Sequence, residues 1–505
     1  MARDTADLRL DLKFVRRVRV ARSNLVPIVG AGASIASGLP DWNELNLRLL
    51  KSFLRHEHAD LELEGRDHAV AAAVLQARFG REAAVDLVRS KLPKQYEELL
   101  WDALFQGRTN YDPSSVHYEV AAGLLHGPGP RLAYTFNFDS LLSDAIDELQ
   151  ARSPSKSRST SRHHDVSVSH LHGRLNSRGE REGDLILSEQ DFYRAAHGDA
   201  ADRTLRQLLE EHDVLLIGLS LQDPRLRRQL LNRIEWPPAK RHKVFVLLTE
   251  SRAGGSAELS ERLSHQFVRT HDRSFWTDWH LDVGFVPTHE LLPVHIRAIR
   301  LGPDPAGWLA RARAFLRANS PVYKRLYGRE EQAEARELLR AVRRLVMHRY
   351  GVSRDECLGI GAFVPSPTST DCIQLGFRLK GGLSRDEAGE GEHLQRRQLR
   401  VSPWSGVQGA AGHSYAYGVL VEAQKDSPFL DAGFTERMRE TWGPARSFRS
   451  LLCIPIADAQ DWVPIGVIYL SSNQPEPFWS RLPRDEYLDL QCTLRSTFRS
   501  ALRYP

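Results

Sequence analysis

The chain predicts an α/β protein: a doubly wound, Rossmann-like parallel sheet with a helical insertion, followed by a smaller α+β domain. Three observations carry that expectation. Five continuous apolar runs in the first half, "LVPIVG", "RLAYTFN", "VSVSHLHG", "DVLLIGL" and "KVFVLLT", have the make-up of strands buried on both faces. Helical stretches such as "WNELNLRLLKSFL" and "RTLRQLLEEH" separate them, as the crossovers of a parallel sheet require. Past about residue 350 the pattern changes to paired strands, "SLLCIPIA" and "VPIGVIYLS", around a short polar turn at 458–461.

At 505 residues the chain is long for one domain. The expected division is a first domain over 1–320, a connecting helix over 321–350 and a second domain over 351–505. Residues 43–115 are too many for one crossover and read as a helical insertion over the sheet edge. The stretch "RLYGREEQAEARELLRAVRRLVMHR" is charged, with apolar residues at Leu338, Val342, Leu345 and at Leu339, Val346, which gives a helix with one apolar stripe. In the last helix Leu490, Leu494, Phe498 and Leu502 recur four apart. They either pack on their own domain or form a dimer seam with the 325–349 helix; both readings stay open. The Ser/Arg-rich tract at 151–164 reads as a solvated loop.

Composition excludes several classes. Hydrophobic residues make up 41% and charged residues 26%, a globular balance. Lys+Arg number 69 against 64 Asp+Glu, an excess of 69 − 64 = 5, too small to imply a nucleic-acid partner. No apolar run approaches the ~20 residues a membrane span needs, and the N-terminus has no apolar core of a secretory signal. The four cysteines all lie at or beyond Cys357, with no Cys-x-x-Cys pair. A disulfide framework and a metal site are not expected, and the cytoplasm is the expected compartment.

Four segments carry chemistry. In "VPIVGAGASIASGLPDW", Gly30, Ala31, Gly32 and Ala33 follow a strand, and a helix is expected to start near Ser34. Small residues let backbone N–H groups approach a pyrophosphate at a helix N-terminus. The third glycine of the usual dinucleotide fingerprint is missing, because Ile35 stands there. In "YTFNFDSLL", Thr135, Asn137 and Asp139 alternate with Phe136 and Phe138, which in an extended segment puts the polar groups on one side. "SHLHG" ends a strand with His170 and His172, and "IGLSLQDPRLR" supplies Gly218 and Ser220. All four lie at the C-terminal ends of expected parallel strands, where open α/β sheets bind ligands.

These four segments, in this order, resemble the sirtuin family over roughly residues 20–250. "GAGASIASGLPDW" resembles its Gly-Ala-Gly-x-Ser and Ser-Gly-x-Pro-Asp segment, "TFNFD" its Thr-x-Asn-x-Asp motif, "LHG" the segment of its catalytic His and "GLS" its ribose-contacting Gly-x-Ser. The resemblance implies that Ala31, Gly32, Ala33 and Ser34 line a pyrophosphate and that Asp41 lies on the nicotinamide side. It implies further that Asn137 positions the ribose and a water, that His172 is the catalytic base, and that Ser220 meets the adenosine side. His170 is left a structural role. The cysteines of the protein-deacylating members' zinc module are absent, and Trp42 and Asn43 replace the family's Phe-Arg after Asp41. "LILSEQDFY" and "DPRLRRQL" are instead similar to the zinc-free bacterial branch, whose members commonly hydrolyse NAD+ in anti-phage defence. The implied activity is that of an NAD+ glycohydrolase releasing nicotinamide and ADP-ribose, with NAD+ as substrate and no cofactor. The implied alternatives are an ADP-ribosyltransferase or zinc-free deacylase, and an inactive NAD-binding sensor or assembly protein.

"FRSLLCIPIADAQDWVPIGVIYLSSNQPEPFW" is similar to GAF domains, which are sensory modules. The resemblance implies an unknown trigger ligand or protein at 351–505 and a homo-oligomer that couples it to the first domain. Chelators should leave activity and thermal stability unchanged; stoichiometric zinc in an elemental analysis of residues 1–320 would contradict the metal-free expectation.

Overall fold

The structure is a computed structural model. It describes residues 11–503 except 59–64, 108–110, 153–165, 176–180, 197–199, 250–270, 287–288, 327, 354, 368, 370–371, 380–397, 403–405, 419, 425–448 and 459–461. Most of the Ser/Arg-rich tract falls outside the described residues. The chain divides into two compact units, one formed by residues 11–300 and one beginning at Leu301.

The first unit is built on six parallel strands: β1 (Leu25–Val29), β2 (Leu132–Thr135), β3 (Ser167–His170), β4 (Asp213–Ile217), β5 (Val244–Thr249) and β6 (Leu281–Val286). Their order is β3-β2-β1-β4-β5-β6. The order reverses at β1, which pairs with β2 on one side (Val29 opposite Thr135) and β4 on the other (Val29 opposite Ile217). That reversal opens a crevice at the C-terminal strand ends. The first five strands match the five apolar runs. β6, "LDVGFV", escapes an apolar-run search because Asp282 and Gly284 interrupt it. The glycine is needed there: a Cβ on Gly284 would lie 2.5 Å from the ring of Phe14. Phe14 belongs to helix α1 (Leu12–Ala21), is fully buried, and meets Phe245 of β5 edge-on at 6.1 Å.

The insertion between β1 and β2 consists of α2 (Trp42–Glu57), α3 (Gly65–Phe79), α4 (Arg81–Lys91) and α5 (Tyr96–Phe105), and α6 (Ser115–His126) returns the chain to the sheet. The insertion has its own apolar core, including Leu49, Leu50, Val88 and Leu100, continuous with Phe138 and Leu187. α6 is tied down by a buried charge cluster. Glu119, with no exposed surface, accepts from Arg297 at 2.6 Å and from Arg300 at 2.8 Å, both on the helix Leu292–Leu301. Removing one member would leave an uncompensated buried charge.

The second unit carries a seven-stranded antiparallel sheet whose central strands are β7 (Leu358–Pro365), β8 (Cys372–Leu379), β9 (Ser450–Ala457) and β10 (Pro464–Ser472). Ala312 and Leu316 of the helix Pro305–Asn319 lie in one core with Ile360, Ile454 and Ile468 of this sheet. The division therefore falls at 300/301 and not at 320. The helix Arg329–Arg349, expected as a connector, also packs within this unit: Ala335, Leu339, Val342 and Val346 enter the core, whereas Leu345 is 49% exposed. The inward stripe follows i, i+4, i+7, i+11, and Leu345 lies on its flank. Leu490, Leu494, Phe498 and Leu502 are buried in the same core, the first of the two readings open for the last helix. Among the described residues no helix is long and apolar enough to cross a membrane.

Leu339→Ala should destabilise the second unit by about 2–5 kcal/mol through cavity formation. Leu345→Glu should shift it by less than about 0.5 kcal/mol. Urea unfolding of the full chain measures both, and equal effects would contradict this packing.

Candidate functional site

A cleft of about 640 Å³ opens at the C-terminal ends of the strands of the first unit. The turn after β1 forms its floor. Gly30 N–H donates to the Ile217 carbonyl at 2.8 Å and Gly32 N–H to the Gly218 carbonyl at 2.9 Å. The two strand-end loops thus touch backbone to backbone. A Cβ on Gly30 would lie 2.3 Å from Leu219 Cδ2, and one on Gly218, whose φ is +66°, would lie 2.7 Å from the Ala33 nitrogen. Glycine at these positions is a packing requirement before it is a ligand-binding one.

No α-helix starts at Ser34. Two 3₁₀ turns, Ala31–Ala33 and Ile35–Ser37, run to Gly38 at φ +86°. The N–H groups of Ala33 and Ser34 bond the carbonyls of Gly30 and Ala31. The α-helix waits until Trp42, where the Asp41 carboxylate caps it by accepting from Glu44 N–H at 2.8 Å. Of the residues expected around a pyrophosphate, Ala31 and Gly32 line the cleft, as do Asp41, Gly218 and Ser220. Ala33 and Ser34 are buried behind the turn.

β2 delivers Asn137. Thr135 Oγ1 donates to the Val29 carbonyl at 3.0 Å and accepts from Asn137 N–H at 3.0 Å. Thr135 therefore fixes the strand end, and it does not line the cleft. The Asn137 side chain lines it. Its Nδ2 donates to the Gly30 carbonyl at 3.2 Å and to Ser34 Oγ at 3.0 Å, while Oδ1 is buried without a partner. Asp139 lies deeper, where Oδ2 accepts from Ser34 Oγ at 2.9 Å and Oδ1 from Leu141 N–H at 3.1 Å. Burial pushes its carboxyl up to about 6 against the pull of those hydrogen bonds. His170 donates from Nδ1 to the Asn137 carbonyl at 3.0 Å, and burial lowers its pKa.

His172 stands in the cleft wall, 1% exposed, among Phe136 (ring centroids 4.8 Å apart), Phe192 (5.5 Å) and Trp42 (6.1 Å). Its Nε2 is 3.1 Å from Asp223 Oδ2, within ion-pair reach but oblique to hydrogen-bond geometry, and Nδ1 has no hydrogen-bond partner. Gly173, at φ +79°, could carry no Cβ, since Asp184 O would be 2.5 Å away. That accounts for the glycine after His172.

Sequence reasoning missed Asp223. It caps the helix Pro224–Ile234 by accepting from Leu226 N–H at 2.8 Å, with Pro224 at the first helical position. Burial alone would raise its carboxyl; His172, the Leu226 N–H and Arg225 outweigh that and hold it below its usual value. Arg225, fully buried, donates from Nη1 to the Leu171 carbonyl at 2.6 Å, just before His172. The signal was the Asp-Pro pair opening a helix at a strand end, but nothing local says which histidine it faces. His117, which meets Ser34 from α6, and Ser114, which caps α6 and donates to the Ala33 carbonyl, were missed for the same reason.

The cleft thus gathers an imidazole beside a carboxylate, an amide oxygen with no partner, and aromatic surface from Trp42, Trp276 and the 46%-exposed Phe275. The backbone between Ser220 and Gln222 is strained, with Leu221 at φ +58°. Among the described residues no cluster of His, Cys, Asp or Glu could hold a metal ion.

Residues 131–283 match the SIR2-like domain family. The matched stretch holds Asn137, His172, Ser220 and Asp223, and it supports a sirtuin-like, NAD-dependent enzyme family for the first unit. Among solved structures the chain is similar to a type II free methionine-R-sulfoxide reductase from Thermoplasma acidophilum, at 13% identity over 34% of this chain and 97% of that one, TM-score 0.21. It is also similar to the GAF domain region of a Geobacter sulfurreducens PCA protein, at 10% identity over 35% and 95%, TM-score 0.22. A further GAF domain matches at 13% identity over 38% and 85%, TM-score 0.22. No curated protein matches the chain.

Burial lowers His117 to about 3 and His295 to about 4. Below pH ~6.5 the unfolded chain takes up protons at these positions that the folded one refuses, so stability is lost as pH falls. Asp139, raised by folding, opposes this between about 4 and 6 but is one group against two. The thermal midpoint of the first unit should therefore fall from pH 7 to 5, and a midpoint that rises would contradict the burial of both rings.

Proposed function

We propose that the first unit is an NAD+ glycohydrolase that releases nicotinamide and ADP-ribose. The observation that carries this reading is one pairing in one cleft. His172 lies beside Asp223, and across the same cleft Asn137 holds an amide oxygen with no protein partner. The match of residues 131–283 to the SIR2-like family supports NAD+ as the ligand.

The chemistry asks for little more. The bond from ribose C1′ to the nicotinamide nitrogen breaks with positive charge developing on the ribose. Asn137 Oδ1 accepts a hydrogen bond from a ribose hydroxyl or from the attacking water and holds it near attack geometry. His172 takes the proton that the water or hydroxyl loses, and Asp223 orients the ring and stabilises the imidazolium. The aromatic wall around His172 excludes bulk water.

The sequence resemblances extend the proposal. The second unit is read as a GAF-like sensor that switches NAD+ consumption in a homo-oligomer, as an NAD-depleting effector of anti-phage defence would require. An uncontrolled enzyme of this kind would starve its own cell.

Incubation of the purified chain with NAD+, following free nicotinamide and ADP-ribose, tests the reaction. Asn137→Ala and His172→Ala should each lower turnover ~10²–10⁴-fold without unfolding the protein. Asp223→Asn keeps a helix-capping oxygen but loses the charge beside the imidazole, so it should lower kcat more than it raises KM. Wild-type turnover by a folded His172→Ala variant would refute the mechanism. ADP-ribose recovered on protein side chains would mark a transferase instead.

A further inference from the structure

We propose that Asp139 and His117, neither of which reaches the cleft, are positioning residues that set which end of the Asn137 amide faces it. They act through the direction of the Ser34 hydroxyl. The inference deepens the reading above and rests on it for the ligand.

The positions of the protons fix the direction of each hydrogen bond in this cluster. Ser114 N–H donates to His117 Nδ1 at 3.0 Å, so that nitrogen carries no hydrogen. The neutral ring therefore has its proton on Nε2, which is 3.3 Å from Ser34 Oγ. Ser114 Oγ donates away, to the Ala33 carbonyl at 2.8 Å. Ser34 consequently cannot give its hydrogen to His117. It gives it to Asp139 Oδ2 at 2.9 Å.

The two lone pairs on Ser34 Oγ are then both committed. One accepts Nε2–H of His117 and the other accepts from the Asn137 amide at 3.0 Å. The atom of Asn137 that faces Ser34 must be its nitrogen. The second amide hydrogen meets the Gly30 carbonyl at 3.2 Å, and the oxygen is left for the cleft. A turned amide would set its oxygen against two oxygens that have no hydrogen to offer.

This holds while Asp139 is ionised. A protonated Asp139 donates to Ser34 and accepts nothing from it. The hydroxyl then turns to Asn137, and only the long bond to Gly30 still favours the working orientation. Of the ionisable neighbours, Asp144 raises Asp139 by its charge, and His117 on α6 meets Asp139 only through the Ser34 hydroxyl. With Asp139 pushed up to about 6 by burial, the working orientation is lost as pH falls through that value.

Asp139→Asn is close to isosteric and mimics the protonated state. Leu141 N–H holds the amide oxygen on its own side, so the new NH₂ faces Ser34 and reverses the relay. In the full chain at pH 7.5, NAD+ affinity by calorimetry and nicotinamide release should both fall about tenfold, the scale of one hydrogen bond. In an Asn137→Ala background, where no amide needs orienting, the same substitution should change NAD+ affinity little. A loss of equal size in both backgrounds, or no loss in either, overturns the proposal. Should Asp139→Asn fail to fold, the wild-type pH profile of NAD+ affinity decides. Its acid limb near 6 should persist in His172→Ala and vanish in Asn137→Ala, and any other pattern overturns the proposal. Binding also separates the two readings: NAD+ that binds with this pH dependence but is never cleaved refutes the hydrolase and leaves the relay standing.

Discussion

The first unit depends on one contact, the backbone of the β1 turn lying directly on the backbone of the β4 turn. Gly32 N–H reaches the Gly218 carbonyl at 2.9 Å, and no side chain fits between the loops. Closing the sheet at its switch point this tightly brings Asn137, from the neighbouring strand, under the Gly30 carbonyl. The loop after β4 then carries Asp223 to His172. A methyl group at either glycine would push these strand ends apart and separate the groups that face the cleft.

Burial then sets the chemistry. The polar groups behind the cleft wall form a chain, Ser114, His117, Ser34, Asp139 and Asn137, in which each hydrogen has one acceptor. In a low-dielectric interior such chains are stable only when complete. Several buried polar atoms among the described residues lack a well-aligned partner, and three of them, Asn137 Oδ1 and both ring nitrogens of His172, belong to residues that line the cleft. Leaving a buried polar atom unmet costs on the order of 1–3 kcal/mol. A ligand in the cleft can relieve the deficit of these three atoms, and the strained Leu221 sits in the same wall.

The second unit follows a different logic. Its antiparallel sheet buries helices through apolar stripes. Even so, Glu356, 1% exposed, holds the Ser472 hydroxyl and the Phe478 N–H. Those bonds fix the turn that leads into the last helix.

The sequence by itself determined the class of the first unit, five of its six strands and the four strand ends that make the cleft. Strands buried on both faces leave continuous apolar runs, and tight turns leave small residues. It also singled out Asn137 and His172. It did not determine β6, because the Gly284 that admits Phe14 breaks the run that marks a strand. The roles of Thr135, Ser34 and Asp139 were equally out of reach. Alternation fixes the side of an extended strand, but β2 ends at Thr135 and the chain turns there. Only the tertiary structure decided that these three support the cleft from behind, that Asp223 is the partner of His172, and that the chain divides at 300/301. Each depends on which atoms meet across elements far apart in the chain, and no local period or propensity encodes such meetings.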